Sequence, residues 1–388
     1  MPQSQAQKLF SHVMRKATHL TRMGALMDAT RLIQRTLMGS PQAVRPQAHP
    51  SPKPRPAQAA NDAQVEDVQA RVIDMPGPQR QEPTAEPAMP TRKASFTESV
   101  FLFEGEQYPY RLYVPAAPAA SDATSTQPLP LIVLLHGCKQ NAQDFARGTA
   151  MNALAGEQQC MVLYPEQISS ANAARCWNWF EPGHQQAGRG EPGMIAALTQ
   201  KVLASNDHGQ QADPQRVYIA GLSAGGAMAA VVTGLYPDMF AALGVHSGLA
   251  AGAAQDLMSA FGAMRNGAKG HTSPALPTIV FHGLADTTVH PDNGEHITDA
   301  ALAALKASGL TLAESKSVLN SASEQPTERV VYSAADGTPY VESWRVDAGP
   351  HAWSGGNAAG SYTDPDGPDA SAAMLAFFLQ HKKRRPDA

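Results

Sequence analysis

The sequence predicts an α/β protein, a mostly parallel sheet flanked by helices, preceded by an N-terminal amphipathic helix and a proline-rich linker. Three observations carry this. Strand and helix patterns alternate from about residue 95 to the end of the chain, the order that builds a parallel sheet covered on both faces. Leu129–Leu135 is an apolar run, as a strand buried on both faces requires. Residues 216–220 pass through Gly221, Leu222, Ser223, Ala224 and Gly225 directly into an alanine-rich helical pattern, which reads as strand, tight turn and helix.

In chain order, residues 8–38 come first. Leu9, Phe10, Val13, Met14, Ala17, Leu20, Leu26, Met27, Leu32, Ile33 and Leu37 recur at roughly helical spacing among Lys8, Arg15, Lys16, Arg22, Arg31 and Arg35. Such a segment is a basic amphipathic helix, and Gly39 is its natural stop. From 40 to 93, prolines alternate with Gln, Ala and charged residues. That composition buries too little apolar surface to offset its ordering entropy, so a disordered linker is expected. The domains are therefore 1–39, the helix; 40–93, the linker; and 94–383, a folded α/β domain. Within it, strands are expected at Ser95–Phe103, 108–114, Leu129–Leu135, 161–164, 216–220, Ala242–His246, 277–282, 328–333 and 340–346. Helices are expected at about 142–156, 191–204, 293–307 and 367–381, with one more directly after Ser223.

Bulk properties narrow the class. The chain has 388 residues, 43% of them hydrophobic and 16% charged, with a net charge of −4, so nothing overall points to nucleic acid. Residues 1–56 hold nine Lys and Arg against a single acid, Asp28. Three cysteines, Cys138, Cys160 and Cys176, make no disulfide framework. No apolar run reaches membrane-spanning length. No continuous apolar core with a cleavage site stands at the N-terminus, so a cytoplasmic protein is expected. Neither His-x₃-His nor Cys-x₂-Cys spacing nor a phosphate-cradling loop occurs, so no metal and no cofactor is expected.

The turn at Ser223 has the G-x-S-x-G form of a nucleophile elbow. A serine hydroxyl is a weak nucleophile and must stand clear of the sheet where a histidine can take its proton. The sharp turn crowds the positions two residues to either side, where Gly221 and Gly225 stand. The base needs an orienting carboxylate. Asp286 follows the buried strand 277–282 after a short turn, with Asp292 as its local competitor. His351 lies in the loop beyond the last strand, within Gly349-Pro350-His351-Ala352-Trp353. The order Ser223, Asp286, His351 places each residue at a strand end. An oxyanion hole would use the backbone N–H of Cys138, after Leu129–Leu135, and that of Ala224, at the positive end of the next helix. Cys138 as a nucleophile is the weaker reading, since no ordered histidine and acid serve it better than Ser223. Cys138 and Cys176 either pair or remain free thiols. Trp177, Trp179 and Trp353 are candidate walls of a substrate cleft, the alternative being core packing.

Five motifs, Leu135-His136-Gly137-Cys138-Lys139-Gln140, Cys176-Trp177-Asn178-Trp179, Gly221-Leu222-Ser223-Ala224-Gly225-Gly226, His282-Gly283-Leu284-Ala285-Asp286 and His351-Ala352-Trp353-Ser354-Gly355, resemble the polyhydroxybutyrate depolymerase family of esterases. Feruloyl and acetylxylan esterases are relatives. The resemblance covers about 95–381. It implies an α/β-hydrolase fold, Ser223 as nucleophile, Asp286 as acid, His351 as base and Cys138 at the oxyanion position. It also implies cleavage of short-chain hydroxyacid polyesters or related esters. The expected partner is a polyester or small ester, with residues 1–39 docking on a polyester granule. A carbohydrate esterase and a non-catalytic granule protein are the alternatives. Many members of that family are exported, which is the alternative to the cytoplasm.

Overall fold

The computed structural model describes residues 93–117, 127–206, 210–270, 273–319 and 325–383. The amphipathic helix expected over 1–39 and nearly all of the linker expected over 40–93 lie outside the described residues. A ten-stranded sheet organises the rest. Its strands are β1 (Ser95–Phe103), β2 (Glu106–Val114), β3 (Leu129–Leu135), β4 (Met161–Pro165), β5 (Ala212–Leu222), β6 (Ala242–His246), β7 (Thr278–Gly283), β8 (Ala313–Leu319), β9 (Thr327–Ser333) and β10 (Pro339–Val346). The spatial order is β1-β2-β4-β3-β5-β6-β7-β10-β9-β8. The six central strands, β4 to β10 in that order, pair in parallel. Antiparallel pairs flank them on both sides. The β1–β2 hairpin turns on Glu104 and Gly105, both at positive φ, the two-residue turn whose twist matches the strands.

Seven α-helices are described, α1 (Ala142–Thr149), α2 (Met151–Glu157), α3 (Gly190–Ala204), α4 (Ala224–Leu235), α5 (Leu257–Asn266), α6 (Asp292–Ala307) and α7 (Ala370–Phe378), with one 3₁₀ turn at Pro182–His184. Side-chain alternation along each strand divides the core into two layers. Leu131, Val133, Leu135, Val217 and Ile219 pack with α3 and α4 on one face. Ile132, Leu134, Tyr218, Ala220, Ile279 and Phe281 pack with α1, α2 and α7 on the other. Burial on both faces explains why β3 and β7 lack polar alternation. Among the described residues, no helix is long and apolar enough to cross a membrane.

Three features depart from the expected elements. The helix expected at 142–156 breaks at Ala150, which takes a left-handed φ of 51°. The loop at 357–363 docks there, and Asn357 N–H donates to Gly148 O (2.7 Å). An unbroken helix would have needed that carbonyl for Asn152. Strand β8 was not expected, and all seven of its residues are exposed. It is held at the sheet edge by its backbone ladder to β9, so no apolar face marks it in the sequence. Helix α5 was also not expected. It turns only Ala260 and Ala263 inward, and a capping box between Asp256 and Ser259 fixes its start.

Candidate active site

The elbow is built by glycine. Ser223 joins β5 to α4 with φ 57° and ψ −121°, a conformation L-residues avoid and that persists only where surroundings enforce it. A side chain at Gly221 would overlap the Gly225 carbonyl, and one at Gly225 would overlap the carbonyls of Leu135 and His136. The first turn of α4 is thereby pressed against the carboxyl end of β3. Ser223 N–H donates to His246 O (2.9 Å), and Ser223 O accepts from Ala227 N–H (2.9 Å), so the turn is held from both sides.

The structure brings Ser223, His351 and Asp286 into one hydrogen-bonded chain. His351 Nε2 lies 2.9 Å from Ser223 Oγ, and His351 Nδ1 lies 2.6 Å from Asp286 Oδ2. Asp286 Oδ1 accepts the N–H groups of Thr288 and Val289, each at 2.8 Å. An ionised carboxylate only accepts, so the proton between these rings and oxygens sits on His351 Nδ1, which leaves Nε2 to take the serine proton. The loops carrying the acid and the histidine are stitched together by Ala285 N–H to Gly349 O (3.1 Å) and Leu284 N–H to Val346 O (2.8 Å). Asp292 lies elsewhere, half exposed at the start of α6 and paired with His290 at 3.3 Å.

Burial pushes the Asp286 carboxyl group up, but the His282 and His351 rings and the Val289 N–H outweigh it and hold the group well below the ordinary carboxylate range. His246 and His136 are fully buried beside the site, and desolvation lowers them to about 3 and about 4 respectively. Both are uncharged imidazoles that serve as struts. His246 Nε2 accepts from Ser354 N–H (3.0 Å), and His136 Nε2 accepts from Gln167 N–H (3.1 Å).

The backbone after β3 offers one free donor. Gly137 N–H is bonded to Gln140 Oε1 (2.9 Å), and Lys139 N–H to Ala174 O (2.7 Å). Between them, Cys138 N–H has no partner among the described residues. Ala224 N–H is the first of the unpaired amino-terminal donors of α4. A disulfide joins Cys138 to Cys176, their Cα atoms 4.2 Å apart and 38 residues separated in sequence. The staple continues inward. Trp177 Nε1 donates to His136 O (3.0 Å), and Gln167 Nε2 donates to Cys176 O (3.0 Å). The buried Glu191 carboxylate at the start of α3 accepts from Asn178 N and Nδ2, both at 2.7 Å.

The tryptophans expected to line a cleft do not do so. Trp177, Trp179 and Trp353 are 0%, 3% and 1% exposed. Trp353 Nε1 donates to Ser371 Oγ (3.0 Å), and its ring packs edge-on against Phe145. Trp177 and Trp353 instead brace residues beside the site, through His136 O and the His246 ring. The helpers Gln140, Gln167, Glu191 and His246 were not anticipated. Each is a polar residue whose role depends on burial, and only the position of His246 at a strand end could have signalled it. Among the described residues, no group of three or more His, Cys, Asp or Glu is gathered as a metal ion would require.

The disulfide gives a direct test. Closing a loop of this length is worth about 4 kcal/mol by the chain-entropy relation, and the bond fixes the backbone around the free Cys138 N–H. Reduction, or the C138S/C176S pair, is expected to lower Tm clearly and to reduce kcat about 10-fold or more. Thermal unfolding and initial rates with and without reductant check this, and unchanged values would remove the bond from the site's construction.

A model of the family described as Esterase PHB depolymerase matches residues 108–314, more than half of the chain, and the chain belongs to that family. This is the family to which the five sequence motifs pointed. The matched span contains Ser223 and Asp286, while His351 lies beyond it. The chain is 32% identical over 232 residues to Poly(3-hydroxyalkanoate) depolymerase C of Paucimonas lemoignei, a match covering 56% of this chain and 53% of that protein. It is 31% identical over 205 residues to Feruloyl esterase B of Thermothelomyces thermophilus, covering 47% of this chain and 66% of that one. The chain thus spans about half to two thirds of the length of these relatives. Among solved structures, an acetyl xylan esterase from Aspergillus awamori matches 74% of this chain and 99% of its own, with a TM-score of 0.52 at 16% identity. That likeness is one of fold, and the fold is that of the α/β-hydrolases.

Proposed function

We propose that this member of an esterase family is a serine carboxylic ester hydrolase that cleaves poly(3-hydroxybutyrate) or short hydroxyalkanoate oligomers through an acyl-enzyme. The observation that carries the reading is the chain from Ser223 Oγ through His351 to Asp286 Oδ2, at 2.9 and 2.6 Å. Ser223 Oγ bonds to the ester carbonyl carbon as its proton passes to His351 Nε2. The carbonyl oxygen becomes an oxyanion held by the N–H groups of Cys138 and Ala224. The intermediate collapses, the ester C–O bond breaks, and the leaving hydroxyl takes the proton from His351. Water then repeats the sequence on the acyl-enzyme, which releases the acid and restores Ser223.

Two features support a polyester over a carbohydrate ester. One is the name of the first relative above. The other is helix α5, which leaves Leu257, Met258 and Phe261 exposed. This helix lies against the segment following Asp286, where His290 N–H donates to Met264 O (2.7 Å) and Asn293 Nδ2 donates to Ala263 O (3.0 Å). This exposed apolar patch beside the segment after Asp286, with Arg265 at its far end, suits a polymer surface better than a sugar chain, to which Leu, Met and Phe offer few hydrogen bonds. The Cys138–Cys176 bond supports an oxidising compartment, the exported alternative to the cytoplasm.

Purified protein should release 3-hydroxybutyrate from amorphous polymer and from oligomers, and do so far faster than it cleaves methyl ferulate. The triple variant L257S/M258S/F261S should lose polymer hydrolysis about 10-fold more than hydrolysis of p-nitrophenyl butyrate. Activity on ferulate or acetyl esters alone would keep the chemistry and overturn the substrate. Binding of polymer without any hydrolysis would favour a granule-associated protein.

A further inference from the structure

His282 closes β7 four residues before Asp286 and takes no part in the reaction outlined above. Its ring is 3% exposed. The Nε2–H group donates to Val289 O (2.9 Å) and so spans the turn that carries the acid. The same nitrogen lies 3.5 Å from Asp286 Oδ2, the oxygen that accepts from His351. That distance is long for a full hydrogen bond, but the polar Nε2 edge of the buried ring still lies beside the carboxylate oxygen. Asp286 Oδ1 is already occupied by Thr288 and Val289. Oδ2 has two imidazole nitrogens near it, His351 Nδ1 at 2.6 Å and His282 Nε2 at 3.5 Å.

The seat of this ring carries two local penalties. Among the described residues, His282 Nδ1 is buried without a hydrogen-bond partner, which costs free energy that an apolar residue at this strand end would avoid. The ring also presses on the first turn of α6 at Gly294, where a Cβ would stand 2.8 Å from Nδ1. Glycine within a helix costs about 1 kcal/mol relative to alanine. Both penalties are incurred at one ring, and the polar contacts that ring gains all lie on its Nε2 side, toward the acid turn.

We propose that His282 is a positioning residue for the triad. It clamps the turn between β7 and α6 through Val289 O and presents its N–H to Asp286 Oδ2, which keeps that oxygen charged and aimed at His351. This rests on Asp286 acting as the acid, and the test separates the two ideas. H282Q, whose amide nitrogen reaches close to the Nε2 position, should keep kcat within about 3-fold. H282L should lower kcat about 10- to 100-fold, by analogy with residues that orient metal ligands from behind, with KM nearly unchanged.

The decisive measurement is the cycle with D286N. If His282 acts through the acid, H282L should cost less than about 2-fold more in the D286N background, because there is no carboxylate left to position. The far-downfield proton resonance of the His351–Asp286 hydrogen bond should also shift in H282L and recover in H282Q. If the single variant fails to fold, H282N, whose amide stops short of Oδ2, takes its place in the cycle. An equal loss in both backgrounds would show that the ring only supports the fold, and an unaltered kcat in H282L would overturn the proposal outright. A D286N enzyme with near-full activity would instead sink the assignment of the acid.

Discussion

Ser223→Ala is expected to lower kcat about 10⁶-fold, the scale on which loss of a triad nucleophile acts, and to abolish covalent labelling by a fluorophosphonate probe. The fold should survive. Among the described residues, Ser223 Oγ has one hydrogen-bond partner, His351 Nε2, and the backbone bonds to His246 and Ala227 that hold the turn do not involve the hydroxyl. Alanine keeps the Cβ, so it inherits the strain of φ 57°. Ser223→Gly removes both hydroxyl and Cβ, and should be the more stable of the two inactive variants by about 1 kcal/mol. The pair therefore distinguishes strain stored for chemistry from a strain-free turn. Thermal unfolding of both variants, alongside rates on p-nitrophenyl butyrate, measures it. Residual Ser223-independent hydrolysis within a few hundred-fold of wild type would mean that another nucleophile carries the reaction.

How much of this was legible beforehand depends on what each residue type can signal alone. The parallel strands β3, β5, β6 and β7 were readable because strands buried on both faces must be apolar throughout. The elbow was readable because close approach of β3, β5 and α4 leaves room only for glycine at 221 and 225. Asp286 and His351, which the structure brings together, were readable as positions after late strands, a property of order along the chain. Strand β8 was not readable, since its pairing uses backbone groups that every residue has. Nor was the break at Ala150, which depends on a loop more than 200 residues away. The tryptophans illustrate a further limit. A large aromatic near a catalytic motif serves as well for a wall as for a buried strut, and only burial distinguishes them. The same holds for Glu191, whose partners Gln167 and Asn178 precede its helix, and for His282, whose contacts with Asp286 and Val289 depend on how the turn after it folds back. Polar residues that act from behind a site have no periodicity of their own.

Asp286→Asn should lower kcat about 10⁴-fold, equivalent to about 5.5 kcal/mol of transition-state stabilisation, while the protein remains folded. The geometry leaves the amide no good orientation. With its oxygen toward Thr288 and Val289, the new NH₂ faces His351 Nδ1 and the His282 Nε2–H, a donor against donors. His351 must then carry its proton on Nε2, directed at Ser223 Oγ, where it can no longer accept the serine proton. With the amide turned over, its oxygen meets His351, but the NH₂ confronts the two backbone N–H groups that Oδ1 now satisfies at 2.8 Å. Either arrangement leaves buried donors unpaired and should also reduce stability. The sign of its pH dependence follows from the carboxylate itself. The folded-state value lies below the ordinary range, so the ionised group contributes stability above the unfolded value, and this is lost as pH falls through the folded one. The stability gap between wild type and D286N should therefore be widest near neutrality and narrow in acid. Asp292→Asn, a change at an exposed residue paired with His290, should leave the rate unaltered. If D286N kept more than a tenth of the wild-type rate, His351 would have to be oriented by something other than the group 2.6 Å from its Nδ1.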